Sequence, residues 1–190
     1  MRLRGMLTLP AILLLAAGLL GCEKKIEESR TEPGRDAVIA EIEKLAGTGV
    51  EYDEKSPDRP IVGIDFGMSF AVTDDGLEFL KGLTSLQRLN LSDTKVTDAG
   101  LEYLKGLTSL QTLYLNDTKV TDTGLEHLKG LTNLQTLGLN DTQVTDEGLE
   151  YLKGLTSLQD LRLHRTRVTD DGVMKLQQAL TNCKITPKPQ

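Results

Sequence analysis

One sentence is written four times in this chain. Residues 72–95 read VTDDGLEFLKGLTSLQRLNLSDTK, and nearly the same words return as VTDAGLEYLKGLTSLQTLYLNDTK at 96–119, VTDTGLEHLKGLTNLQTLGLNDTQ at 120–143 and VTDEGLEYLKGLTSLQDLRLHRTR at 144–167. A fixed period of this length is the mark of a solenoid, in which each unit is one supersecondary element that stacks on its neighbours. Within 96–119 the aliphatic residues are Val96, Leu101, Leu104, Leu107, Leu110, Leu113 and Leu115. Leu101 and Leu104, three apart, share one side of a short helix, and Leu113 and Leu115, two apart, share one face of a strand. Thr97 and Asp98 stand where a helix N-cap belongs, and Gly106 where that helix stops. Each unit is therefore one helical segment, one turn and one very short strand. A lone unit buries too little to offset its backbone entropy. Stacked units share a core and pair their strands, so the same residues must recur at each interlocking position.

The run Leu110, Leu113, Leu115, Thr118, Val120 spells L-x-x-L-x-L-x-x-T-x-V, and it recurs from Leu86, Leu134 and Leu158. This resembles the leucine-rich repeat signature over roughly residues 61–186, and the VTDxGLxxLKGLTxLQxL wording is similar to bacterial extracytoplasmic leucine-rich repeat proteins. The resemblance implies an α/β leucine-rich repeat solenoid with short parallel strands on the concave side and short helices on the convex side. The family's usual Asn is Thr94, Thr118, Thr142 and Thr166 here. A hydroxyl donates one hydrogen bond where an amide donates two. The Thr column is expected to point inward and satisfy carbonyls in the turn after each strand.

The remaining chain divides around these units. Arg2 and Arg4 precede an apolar core, Leu7–Leu20, that is short for a membrane span and suited to a signal peptide. It ends Leu19–Leu20–Gly21–Cys22, followed at once by Glu23–Lys24–Lys25. That pattern resembles the lipobox of bacterial lipoproteins, which implies cleavage before an acylated Cys22. The expected organisation is a signal peptide over 1–21, a polar tether over 22–35, an N-terminal cap over 36–71, four repeats over 72–167 and a C-terminal cap over 168–190. In the N-terminal cap, Val38, Ile39, Ile42 and Leu45 give an amphipathic helix over Asp36–Ala46, with Asp36 as N-cap and Gly47 as stop. Val50 with Tyr52, and Val62 with Ile64 and Phe66, alternate as strands. In the C-terminal cap, Val173, Leu176 and Leu180 predict a longer helix, and Cys183 and Ile185 alternate in a last strand with both side chains inward. Glu23 after Cys22 points, by the same resemblance, to outer-membrane sorting. The protein is thus expected in the bacterial cell envelope, extracytoplasmic and held to the membrane through Cys22.

Charge and motifs narrow the chemistry. The net charge is −6, and −8 once Arg2 and Arg4 leave with the signal peptide. An acidic chain without a basic stripe repels phosphate backbones, so nucleic acid is not an expected partner. The columns Asp74, Asp98, Asp122, Asp146, Asp170 and Asp93, Asp117, Asp141 suggest a calcium ladder. Helix capping for the first and turn formation for the second explain them more simply. His127 and His164 fall on different sides of the solenoid, and Cys183 is buried rather than activated. No nucleophile motif or phosphate loop is present. The expectation is no enzyme, no cofactor, no metal and no small-molecule substrate.

Variation between units carries the functional expectation. Strand residues facing away from the core are Arg88, Asn90, Ser92; Thr112, Tyr114, Asn116; Thr136, Gly138, Asn140; and Asp160, Arg162, His164. Carrying no packing duty, they are free to differ, and on strands about 4.8 Å apart they form one face. Gly138 would leave a notch between Tyr114 and Arg162, residue types that often anchor binding. The partner-binding set is Arg88, Asn90, Tyr114, Asn116, Asn140, Arg162 and His164, and the expected partner is a protein or peptide. The alternative is a structural or assembly protein that uses the convex column Phe79, Tyr103, His127, Tyr151.

Overall fold

The structure, a computed structural model of the chain, describes residues 35–45 and 49–187. The proposed signal peptide, Cys22 and almost all of the tether lie outside the described residues, as do Ala46, Gly47 and the side chain of Asp36.

Helix α1, Arg35–Lys44, buries Ile42 and leads into the buried Leu45. It begins one residue before the expected N-cap and ends before Ala46. Strand β1, Gly49–Tyr52, runs antiparallel to β2, Ile61–Asp65, with a register shift at Glu51/Tyr52. Five further strands follow in chain order: β3 Arg88–Asn90, β4 Thr112–Tyr114, β5 Thr136–Gly138, β6 Asp160–Arg162 and β7 Lys184–Thr186. Among the described residues these make one sheet in the order β1 to β7, parallel from β2 onward. Register repeats from rung to rung, with Ile64, Leu89, Leu113, Leu137, Leu161 and Ile185 aligned across neighbouring strands.

Helical turns lie between the strands. The first is a 3₁₀ helix, Asp74–Gly82. The next three are α2 Asp98–Leu101, α3 Asp122–Glu126 and α4 Asp146–Leu149, and short 3₁₀ turns extend α2 and α4 to Leu104 and Leu152. The last, α5, spans Asp170–Ala179, as the changed spacing of Val173, Leu176 and Leu180 predicts. Cys183 and Ile185 are buried behind it.

The core is a stack of aliphatic layers. Leu101, Leu104, Leu107, Leu110, Leu113, Leu115 and Val96 have no accessible surface, and their equivalents in the adjoining units are likewise buried except the half-buried Leu83. Two backbone ladders bind the rungs. One runs along the strands and beyond them, as in Leu91 N–H to the Tyr114 carbonyl at 2.8 Å. The second runs between the turns, as in Lys119 N–H to the Val96 carbonyl at 3.2 Å. The Thr column behaves as its chemistry dictates: Thr94, Thr118 and Thr142 donate to Leu91, Leu115 and Leu139 carbonyls, each at 2.7 Å, and Thr166 to Leu163 at 2.8 Å. A one-donor hydroxyl thus closes its own turn.

The first Asp column differs from the expectation in one respect. Each N-cap is the Thr, whose hydroxyl accepts from an N–H two or three residues on: Ala99 for Thr97, Thr123 for Thr121, Glu147 for Thr145 and Gly172 for Thr169. The Asp beside it reaches to the next rung. Asp98 accepts Thr121 N–H at 2.7 Å and the Thr121 hydroxyl at 2.6 Å, and Asp122 treats Thr145 in the same way at 2.8 and 2.6 Å. By accepting the hydroxyl hydrogen, the carboxylate turns a lone pair of the Thr oxygen toward the helix amide. The Gly of T-D-x-G follows from this geometry. A Cβ on Gly100 would lie 2.5 Å from Asp74 Oδ1, and on Gly124, Gly148 and Gly172 it would overlap the carboxylates of Asp98, Asp122 and Asp146. Among the described residues no carboxylate braces Thr73, which makes no side-chain cap, and that first turn winds as 3₁₀ throughout.

Candidate functional site: the outward strand face

Alternation along each short strand puts one side chain inward and its two neighbours outward. In β3 to β6 the outward pairs are Arg88 and Asn90, Thr112 and Tyr114, Thr136 and Gly138, Asp160 and Arg162. Their register is direct, Arg88 opposite Thr112 and Asn90 opposite Tyr114, and so on to β7, where Lys184 and Thr186 follow Asp160 and Arg162. Arg88, Tyr114 and Arg162 therefore lie on one face of one sheet.

The face is more tightly knitted than free variation requires. Gly138 is buried, and a Cβ there would stand 2.9 Å from both Tyr114 Cδ1 and Asn116 Oδ1. The expected notch is thus filled: the Tyr114 ring and the Asn116 amide lie against Gly138. From the far side Arg162 places its guanidinium 5.7 Å from the Tyr114 ring centroid. Asp160 Oδ2 holds that guanidinium at 3.0 and 2.9 Å, which raises the Arg162 pKa further above its already high value. Tyr114, Gly138 and Arg162 form a cation–π bridge across three strands, a contact of about 0.5–1 kcal/mol at an exposed site.

A second bridge stands at the other end. Glu51 of β1 crosses Gly63 of β2 to reach Arg88, pairing with its Nη2 and accepting from its Nε at 2.8 Å. Asn90 donates to Asp65 at 2.9 Å and accepts the Ser92 N–H at 3.0 Å. Between this bridge and Tyr114 lies a shallow groove of about 250 Å³, lined by Glu51, Asp65, Arg88, Asn90, Thr112 and Tyr114.

Two of the residues expected to be free carry structural duty. Asn116 donates to the Ser92 hydroxyl at 3.1 Å and accepts Asn140 N–H at 3.1 Å; Asn140 in turn accepts His164 N–H at 2.9 Å. These half-buried amides bond rung to rung beside the strand ladder, so their constancy is a matter of stability. His164, at the end of the column, has an exposed side chain. Glu51 and Asp65 join the face's polar network unannounced by the sequence, and Asp160, expected on the face but outside the partner-binding set, holds Arg162. Glu51 and Asp65 sit on cap strands without repeat wording, and only the outward register of Gly63 between Val62 and Ile64 signals them.

The carboxylate columns are otherwise occupied. Asp74, Asp98, Asp122 and Asp146 are spent on Thr97, Thr121, Thr145 and Thr169. Asp93, Asp117 and Asp141 take left-handed φ values of 57, 53 and 56°, which Asp tolerates better than most residues. Desolvation, then the neighbouring Asp141 and Asp93, push the Asp117 carboxyl above its usual range, against the pull of Arg165. Burial pushes the Cys183 thiol up to about 11, so it is not a nucleophile at neutral pH. His127 ends α3 on the helix side, away from His164 beyond β6. Among the described residues no group of three or more His, Cys, Asp or Glu is placed to hold a metal ion.

Comparison with known proteins agrees with this architecture. Residues 84–130 match the family described as Leucine Rich repeats (2 copies), and residues 130–153 and 154–176 match Leucine Rich repeat. These residues are leucine-rich repeats, and the fold is a leucine-rich repeat solenoid. Among solved structures, an internalin (inlF) from Listeria monocytogenes is 26% identical with a TM-score of 0.53, over 60% of this chain and 32% of its own. The chain thus spans about a third of that internalin's length. Internalin C2 (inlC2) of the same species is 24% identical with a TM-score of 0.45, covering 66% of this chain and 70% of its own. The mouse RP105/MD-1 complex aligns at 18% identity and a TM-score of 0.53, over 67% and 21% of the two chains. No curated protein matches this chain. Domains of this family are typically non-catalytic scaffolds that mediate protein–protein binding.

Proposed function

We propose that this protein is a lipid-anchored, non-catalytic binding module of the bacterial cell envelope, held by an acylated Cys22 and recognising a protein or peptide with its outward strand face. The observation that carries the reading is that three positions on that one face (88, 90 and 92 and their equivalents) all differ between the repeats, while on the helix side only the Asp75, Ala99, Thr123, Glu147 position and the ring-bearing Phe79 column vary as fully. The core, the T-D-x-G brace and the Thr column stay fixed, while position 114 is Tyr, its equivalent at 138 is Gly, and at 162 it is Arg. The anchor reading is supported by the basic start, the apolar core and Leu19–Leu20–Gly21–Cys22. Tyr114 and Arg162 are the proposed anchors, with Arg88, Asn90 and His164 at the margins; Asn116 and Asn140 contribute by holding the face in shape.

Two experiments test the two halves. Intact mass of the mature protein reads acylation: a chain beginning at an acylated Cys22 supports the anchor, and an unmodified chain refutes it. Affinity capture from detergent-solubilised envelope compares the native protein with a Tyr114→Ala, Arg162→Ala variant. Loss of the captured partner by a variant that still unfolds cooperatively well above the assay temperature supports the strand face. Equal capture by both refutes it.

A further inference from the structure

The turn that follows β2 breaks the pattern of every later rung. In the backbone ladder Met68 N–H bonds the Ser92 carbonyl at 2.9 Å, as Asp93 bonds Asn116, Asp117 bonds Asn140 and Asp141 bonds His164. Met68 also shares their left-handed backbone, with φ of 64°. From this position the later rungs read Asp93–Thr94–Lys95, Asp117–Thr118–Lys119, Asp141–Thr142–Gln143 and Arg165–Thr166–Arg167. The first rung reads Met68–Ser69–Phe70–Ala71 before Val72, one residue longer and apolar where the others are charged or polar. A bulky apolar residue in the left-handed region is unusual and costs conformational energy. Neither large side chain recovers that cost by burial, since Met68 is 76% and Phe70 71% exposed.

The turn is nonetheless held firmly. Ser69 is buried in the place of the Thr column and donates to the Leu45 carbonyl at 2.6 Å. Beneath it Phe66 packs edge-on against Phe79, with ring centroids 6.3 Å apart. The result is a rigid turn that presents two apolar side chains at the N-terminal end of the sheet, bonded to the end of α1.

We propose that Met68 and Phe70 insert into the membrane interface and orient the solenoid on the bilayer. This rests on the anchor reading above. Cys22 precedes Arg35 by 13 residues, a reach of at most about 45 Å, and α1 adds about 15 Å to the Leu45 end. Of the turns that follow the parallel strands, this one therefore lies closest along the chain to the acylated residue. Two apolar side chains bind a bilayer weakly by themselves, and they act together with an anchor that removes the translational cost. With a mature net charge of −8, insertion is favoured on a zwitterionic surface over an anionic one.

The chain contains no Trp, so one introduced indole reports alone. The test uses the mature acylated protein reconstituted into phosphatidylcholine vesicles, with Phe70→Trp at the turn and, as control, Met174→Trp on α5, which is also exposed. In the Phe70→Trp protein the expected result is a blue-shifted emission quenched by brominated lipid. The Met174→Trp protein should stay unquenched. Adding Met68→Asp to the Phe70→Trp protein, which installs the residue of three of the four later rungs, should abolish its quenching. Vesicle-bound, acylated Phe70→Trp protein whose indole is not quenched overturns the inference and leaves the anchor standing. Equal quenching of the two variants overturns it as non-specific. A blue shift that appears without vesicles and grows with protein concentration overturns it in favour of a second copy. Absence of acylation by intact mass, with no flotation on vesicles, removes the anchor and this inference with it.

Discussion

The brace between rungs gives the sharpest prediction, because it ties a glycine in one repeat to a carboxylate in the one before. Asp122 accepts the Thr145 N–H at 2.8 Å and its hydroxyl at 2.6 Å. A Cβ on Gly148 would overlap Asp122 Oδ1, stand 3.0 Å from its Cγ and 3.1 Å from Leu125 Cδ1. Asp122→Ala removes two hydrogen bonds to a charged acceptor and leaves Thr145 N–H unpaired. At about 1.5–3 kcal/mol for each such bond, discounted for partial exposure, the loss is about 2–4 kcal/mol. Gly148→Ala displaces the same carboxylate and costs a similar amount. The double variant does not pay twice: with the carboxylate gone, only the flexible Leu125 methyl is tight, and Ala gains up to about 1 kcal/mol over Gly in a helix. Gly148→Ala is therefore expected to be neutral or slightly stabilising in the Asp122→Ala background, a coupling of about 2–5 kcal/mol. Urea unfolding of the four proteins of the cycle measures it from the midpoints at constant m. Equal costs of Gly148→Ala in both backgrounds would refute the reasoning, and the T-D-x-G glycine would need another explanation.

Other predictions follow from the same contacts. Gly138→Val drives Tyr114 off its seat and crowds Asn116; overpacking predicts a loss of about 1–3 kcal/mol, together with loss of partner capture. Asp117, whose carboxyl is raised by desolvation and by Asp141 and Asp93, favours its protonated form when folded. Its charge therefore weakens the fold as pH rises through its folded pKa, and Asp117→Asn should raise Tm at pH 7 but not at pH 3. Cys183, raised to about 11, stays a thiol when folded while the unfolded chain ionises near 9.0. The stability it confers is present below pH 9 and is lost between pH 9 and about 11, an effect absent from Cys183→Ala. In a native thiol titration at pH 8 it should remain unreactive until urea unfolds the protein.

The sequence made the period, the short helix and strand of each unit, the longer α5 and the inward Thr column legible, because each depends on spacing within one unit. It left obscure three contacts between repeat units. Asp98 beside Thr97 resembles a local cap, yet its partner is Thr121, a rung away. Asn116 and Asn140 have the look of tolerated surface residues until the ladder to Asn140 and His164 N–H is seen. Gly138 suggests a gap, and the Tyr114 ring fills it because aromatic side chains reach across to the neighbouring strand. The antiparallel pairing of β1 with β2, which brings Glu51 onto the face beside Arg88, also has no periodic signal to announce it.

Whether recognition belongs to the outward strand face is read by site-specific photocrosslinking in intact cells, with the probe placed in turn at Thr112 and Thr136 on the strands and at Tyr103 and Tyr151 on the helices. One foreign crosslinked product is expected from Thr112 and Thr136 and none from Tyr103 or Tyr151. Products confined to Tyr103 and Tyr151, or consisting of the protein crosslinked to itself, would contradict it and favour an assembly role for the helix side.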